Sequence, residues 1–279
     1  MNIIVAEDLK KLLSQGELVL IDARGGPDAF QRYQAGHLEN ALFLDLETQL
    51  SDKTDNAANG GRHPLPEPQD FGQLLGSAGI SPESTVVVYD DKNGANAASR
   101  FWWMLKAIGH EKVYVVSGGL DAIIKAGIPI TSEIPAKPQL KQYPANSWRW
   151  PLADISRVSE ISTDPELMVI DVREHYRYAG ESEPIDLVAG HIPGAVNIPY
   201  TSNLNENGEF LTKEELTSKY QAALAGRTPE QVVVHCGSGV TACHTLLALN
   251  EAGFEGAALY VGSWSEWSRN DKPIAIGNN

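Results

Sequence analysis

The chain repeats itself once, and that constrains the fold more than any other feature. Leu18-Val19-Leu20-Ile21-Asp22-Ala23-Arg24 returns as Leu167-Met168-Val169-Ile170-Asp171-Val172-Arg173. Ala35-Gly36-His37 returns as Ala189-Gly190-His191, and Thr85-Val86-Val87-Val88-Tyr89-Asp90 as Gln231-Val232-Val233-Val234-His235-Cys236. Gly109-His110-Glu111 and Ser117-Gly118-Gly119-Leu120 are matched by Gly253-Phe254-Glu255 and Val261-Gly262-Ser263-Trp264. Blocks in one order at similar spacing imply a duplicated domain, and the period is far too long for a solenoid. The copies are placed at 5–133 and 151–276, joined by an extended linker over 134–150 with Pro135, Pro138 and Pro144. Each proline biases its predecessor away from helix.

Within each copy short apolar runs alternate with helical patterns. Val19–Asp22, Val86–Asp90 and Val113–Val116 read as strands in the first, and Val169–Asp171, Val232–Cys236 and Ala258–Val261 in the second. Alternating strands and helices predict an α/β fold, each domain a mostly parallel sheet flanked by helices. In such sheets reactive groups lie just past the carboxyl ends of strands. Cys236 is predicted there, and Asp90 takes its position in the first copy.

The run from Cys236 through Gly237, Ser238, Gly239, Val240 and Thr241 leads from a strand into a helix. Such a loop turns successive N–H groups towards one point, where the first turn of the helix has no internal acceptors and the dipole adds positive character. A thiolate at that focus is stabilised by fixed dipoles. Cys236 is therefore the expected nucleophile. Gly237 and Gly239 permit the backbone angles of such a cradle. Cys243 reads as a small core residue: in one helix, it and Cys236 would lie about 10 Å apart, too far for a disulfide.

Composition bounds the partners. Of 279 residues, 42% are hydrophobic and 21% charged, the profile of a globular protein. A net charge of −14 argues against nucleic acid or an anionic membrane as partner. No apolar run is long enough to span a membrane, the first residues do not read as a signal peptide, and two cysteines make no disulfide scaffold, so a reducing cytoplasm is expected. No metal or organic cofactor is expected. Trp102, Trp103, Trp264 and Trp267 are expected in the core.

Asp171-Val172-Arg173, Gly190-His191-Ile192-Pro193-Gly194-Ala195 and the loop Cys236-Gly237-Ser238-Gly239-Val240-Thr241-Ala242 together resemble the tandem-domain rhodanese (sulfurtransferase) family, over about residues 5 to 275. The resemblance implies two tandem rhodanese-like domains, the first without a catalytic cysteine. The loop is similar to that of the 3-mercaptopyruvate branch; the thiosulfate branch typically has Arg-Lys where this chain has Gly237-Ser238. The implied reaction moves sulfane sulfur through a Cys236 persulfide from a small anionic donor to a thiol such as thioredoxin or glutathione, or to cyanide. By the same resemblance Ser238 works with His63 as a catalytic pair, Glu47 stands as their possible acid, and Arg177 binds the donor's anionic end. The animal mercaptopyruvate pattern has a second arginine that Glu183-Pro184-Ile185-Asp186 lacks. Arg24, Arg173, His37 and His191 are expected to serve structure. Because Gly237 and Ser238 carry no charge, 3-mercaptopyruvate is the expected donor and thiosulfate the alternative.

Two other readings are set against this one. A cysteine phosphatase needs arginine six residues after its cysteine, where this chain has Ala242. A non-catalytic binding module suits the first copy, but not a chain with an intact Cys236 loop.

Overall fold

The structure, a computed structural model of the chain, describes residues 1–16, 18–53 and 55–277. It divides into two compact units. The first comprises Met1–Asp52, Leu65–Arg149 and Glu206–Phe210; the second comprises Lys53–Pro64, Trp150–Asn205 and Leu211–Asn279. Each therefore includes a short segment from the other half of the sequence.

The first unit contains β1 (Ile3–Ile4), α1 (Ala6–Gln15), β2 (Val19–Arg24), α2 (Ala29–Ala35), β3 (His37–Leu38), β4 (Leu42–Asp45), α3 (Pro68–Ser77), β5 (Val86–Tyr89), α4 (Ala97–Ala107), β6 (Val113–Val116), α5 (Gly119–Lys125) and β7 (Ile130–Thr131). Its five-stranded sheet has the order β1-β6-β5-β2-β4, with every pairing parallel. The second unit contains β8 (Leu152–Ala153), α6 (Ile155–Ile161), β9 (Met168–Asp171), α7 (His175–Tyr178), β10 (Val196–Asn197), α8 (Lys213–Leu224), β11 (Val232–His235), α9 (Thr241–Glu251), β12 (Ala258–Tyr260) and α10 (Ser263–Trp267). Its sheet, β10-β9-β11-β12-β8, is also parallel throughout and reproduces the first order strand for strand.

The valine runs of β5 and β11 are buried, as strands covered on both faces require. Beside them the repeated Asp-x-Arg motif makes the same structure twice. Arg24 Nε lies 2.6 Å from Asp22 and Arg24 Nη2 donates to the Gly36 carbonyl at 2.8 Å. Arg173 Nη2 donates to Asp171 and to the Gly190 carbonyl, both at 2.6 Å. His37 stacks on Tyr33 with ring centroids 3.8 Å apart, and His191 on Tyr178 at 3.7 Å. In each case Nδ1 donates to that tyrosine's carbonyl. All four side chains are buried, so these residues hold loops to sheets. The four tryptophans expected in the core are likewise buried.

Residues 132–149 form no regular element, and part of this stretch lies along α3. A Cβ on Gly72 would come 2.6 Å from the Tyr143 carbonyl oxygen, and one on Gly76 would come 2.2 Å from that of Lys141. Two glycines one helical turn apart therefore let the two backbones touch. Among the described residues no helix is long and apolar enough to cross a membrane.

Burial holds His191 and His235 below the usual imidazole range, so in the folded second unit both take up a proton only at lower pH than in the unfolded chain. The unfolded chain takes up these protons near pH 6.5 while the folded chain does not. Stability is therefore retained above that pH and lost as pH falls below it, by up to about 1.4 kcal/mol per pH unit for each group. We expect the urea midpoint to fall between about pH 7.5 and pH 5.5; a constant or rising midpoint would contradict this lowering.

Candidate active site

Strand β11 ends at His235, and the next residue, Cys236, begins the loop that leads into α9. The cysteine is fixed through its backbone. Its N–H donates to Ser263 Oγ at 3.2 Å, and its carbonyl accepts from the Trp264 N–H at 3.0 Å and from His235 Nδ1 at 3.1 Å. The Gly237 carbonyl accepts from the Ser265 N–H at 2.8 Å. The start of α10 thus clamps the two residues at the mouth of the loop. Ser263 adopts φ 54°, a left-handed conformation uncommon for a residue with a side chain. Sequence reasoning gave Ser263, Ser265 and His235 no role, because nothing local marks a serine whose partner lies far along the chain.

Gly239 has φ +73°, and a Cβ on it would come 2.6 Å from the Val261 carbonyl oxygen, so only glycine fits without strain. The N-cap of α9, Val240, has no side-chain acceptor with which to cap the first turn that Thr241 opens. Cys236 and Cys243 are both buried and not joined in a disulfide, and the Cys243 thiol donates to the Gly239 carbonyl at 3.2 Å.

The equivalent loop of the first unit has a different occupant. Asp90 follows β5, and its Oδ1 accepts from the N–H groups of Lys92 and Gly94 at 2.9 and 2.7 Å. Its Oδ2 accepts from those of Asn96 and Ala98 at 2.9 and 3.1 Å. Burial pushes this carboxyl up while the four donors pull it back. The loop closes around a carboxylate of its own chain.

His63 and Ser238 meet in the second unit. His63 Nδ1 lies 2.8 Å from Ser238 Oγ, and both residues are nearly buried. Glu47 belongs to the first unit, in the turn after β4, where its N–H donates to Asp45 at 2.8 Å.

Arg177 extends from α7 and is 6% exposed. Its Nη2 and Nε donate to Glu183 at 2.8 to 3.1 Å, and Nη2 lies 3.4 Å from Asp186. Burial opposes the charge on Arg177, but Glu183 more than restores it and raises the guanidinium above its ordinary value. Burial also opposes the Glu183 carboxylate, which Arg177 and the N–H groups of Asp186 and Ile185 nevertheless hold below the usual range.

Asp186 gathers two more arginines. Arg62 donates through Nε at 3.0 Å and through Nη2 at 3.4 Å, and Arg269 Nη1 lies 3.3 Å away. Positive charge lies beside the loop although the loop itself carries none. Gly237 and Ser238 carry none, but a Cβ on Gly237 would lie 3.0 Å from Arg62 Nη2 and 3.3 Å from Arg177 Nη2. Sequence reasoning missed Arg62; its position next to His63 was the available signal.

A model of the rhodanese-like domain matches residues 5–126 and again residues 154–270. The chain belongs to the rhodanese-like family. Across 99% of both chains it is 41% identical to a probable 3-mercaptopyruvate sulfurtransferase of Pseudomonas aeruginosa. It is 36% identical to a thiosulfate sulfurtransferase of Rattus norvegicus, over 89% of this chain and 83% of that one. Among solved structures, the 3-mercaptopyruvate sulfurtransferase from Leishmania major superposes with a TM-score of 0.83 at 29% identity, covering 96% of this chain and 74% of that chain. In this chain one architecture occurs twice, and the duplicated loops differ in whether they hold a cysteine or a carboxylate.

Proposed function

We propose that this rhodanese-like protein is a sulfurtransferase that takes the thiol sulfur of 3-mercaptopyruvate, holds it as sulfane sulfur on Cys236 and passes it to a thiol or cyanide. Cys236 Sγ attacks the donor sulfur. The carbon–sulfur bond breaks, its electron pair passes to the enolate of pyruvate, and Cys236 is left as a persulfide. An acceptor thiolate then attacks the outer sulfur and restores the Cys236 thiolate, a double displacement. The donors of the loop stabilise each sulfur anion without a bulky counter-charge.

The observation that carries the choice of donor is the 2.8 Å contact between His63 and Ser238. A departing enolate gains from a hydroxyl that can donate to its oxygen and be resupplied by an imidazole. Thiosulfate leaves as sulfite and needs no such proton. A second reading, thiosulfate as donor by the same chemistry, is favoured by Arg62 and Arg177 beside Gly237, because a compact dianion seeks fixed positive charge.

The test is kcat/KM for each donor with cyanide as common acceptor, in the wild type and in His63→Ala. We expect at least a roughly tenfold preference for 3-mercaptopyruvate, the low end of what one charge-assisted hydrogen bond is worth. His63→Ala should lower the rate with 3-mercaptopyruvate and leave that with thiosulfate much closer to wild type. A wild type that favours thiosulfate would decide for the second reading.

A further inference from the structure

Asp186 is a buried carboxylate in the stretch where the animal mercaptopyruvate pattern has an arginine. A negative charge there should repel an anionic donor, unless its surroundings reverse the sign. They do: Arg62, Arg177 and Arg269 all reach this one carboxylate, at 3.0 to 3.4 Å. Two of them, Arg62 and Arg177, also converge on the residue that follows the nucleophile. Both Nη2 atoms are 3.4 Å from Asp186 Oδ2, and the point where a side chain on Gly237 would begin lies 3.0 Å from that of Arg62, 3.3 Å from that of Arg177 and 3.5 Å from Asp186 Oδ2.

We infer that Arg62 is a donor-binding residue: with Arg177 it forms a paired guanidinium site for the anionic end of the sulfur donor, and Asp186 positions the pair. This rests on the sulfurtransferase reading and names the group that compensates for the missing second arginine. Arg62 and Arg177 share Asp186 and Arg177 is also paired with Glu183, but Arg269 adds a third guanidinium, so among these partners three cations face two carboxylates. An incoming carboxylate or sulfonate offers two oxygens, which suits planar donors arranged in pairs.

The surroundings of Arg62 fit this role. Its N–H donates to Ser265 Oγ at 3.1 Å, and Ser265 also donates its own N–H to the Gly237 carbonyl. One serine thus ties Arg62 to the nucleophile loop. The strap can lie this close because Gly61 has no side chain; a Cβ there would come 2.4 Å from the Gly262 carbonyl oxygen. The Arg62 side chain is 27% exposed, whereas those of Arg177 and Asp186 are 7% and 0% exposed. Arg62 is therefore the member of the cluster that an entering anion meets with least rearrangement. Glycine at 237 leaves that face of the loop to the guanidinium groups, so positive charge is delivered from a distant segment instead of from the loop itself.

The experiment compares wild type, Arg62→Gln and Arg62→Lys, measuring KM and kcat for 3-mercaptopyruvate and for thiosulfate with cyanide as acceptor. Melting temperatures and the mass of the Cys236 peptide after donor treatment are recorded alongside. For Arg62→Gln we expect KM to rise about 10- to 150-fold, the range for one lost charge-assisted contact. The rise should be larger for the dianion, kcat should stay within a few-fold, and Arg62→Lys should fall between the two. If KM stays within twofold of wild type, or if kcat and melting temperature fall while KM does not move, Arg62 serves structure alone and the inference is overturned. If wild type gains no sulfur on Cys236 from either donor, the sulfurtransferase reading fails and this inference fails with it.

Discussion

Cys236→Ser should reduce sulfur transfer by about four orders of magnitude or more, because removing the nucleophile of a covalent mechanism removes the route itself. A serine hydroxyl at this position would keep the fold, since the cysteine is held through its backbone N–H and carbonyl. It cannot carry sulfane sulfur or match a thiolate as nucleophile. The check has two parts. Wild type treated with donor should gain the mass of one sulfur atom on the peptide that contains Cys236, and the variant should gain none. Cys243→Ser should retain the gain, because that thiol lies within α9 and is engaged with the Gly239 carbonyl. More than about one per cent residual activity in Cys236→Ser, or added sulfur that maps to Cys243, would sink the assignment.

The largest expected effect on stability comes from Asp171→Ala. Asp171 and Arg173 are both essentially inaccessible, joined at 2.6 Å. Burial opposes the Asp171 carboxylate, yet Arg173 holds it well below the usual range. Cutting away one partner leaves a guanidinium buried under the ring of Trp264, which it approaches to 4.6 Å. Breaking such a pair typically costs about 3–5 kcal/mol. We expect the low end, about 3 kcal/mol, because Glu183 remains 3.2 Å from Arg173. Urea unfolding at pH 7 measures it; a loss below about 1 kcal/mol would mean that Glu183 and the Gly190 carbonyl satisfy Arg173 alone.

The parts of this architecture that were legible in the chain are those written locally. Alternation of valine runs with helical patterns marks the strands, and the repeat pairs Asp22 with Asp171, His37 with His191 and Asp90 with Cys236. The cysteine loop declares itself because strand, glycine and helix follow one another without interruption. What stayed hidden depends on distance along the chain. Ser265 binds the loop from 28 positions beyond Gly237, and Arg62 reaches Asp186 across 124 positions. No periodicity records such meetings. Glu183–Asp186 was read as a segment without an arginine, whereas its Asp186 draws three arginines together. Its significance lies in a charge balance that only the folded chain reveals.

The segment Lys53–Pro64 counts with the second unit although it precedes the linker, as Glu206–Phe210 counts with the first although it follows. Two modules that each kept to its own half of the sequence could be shuffled, deleted or fused elsewhere independently. This reciprocal loan removes that freedom. A gene split in the linker would deliver Cys236, Ser238 and Arg177 on a polypeptide without Arg62 and His63. Recombination that exchanges either half among relatives would part residues that must be inherited together.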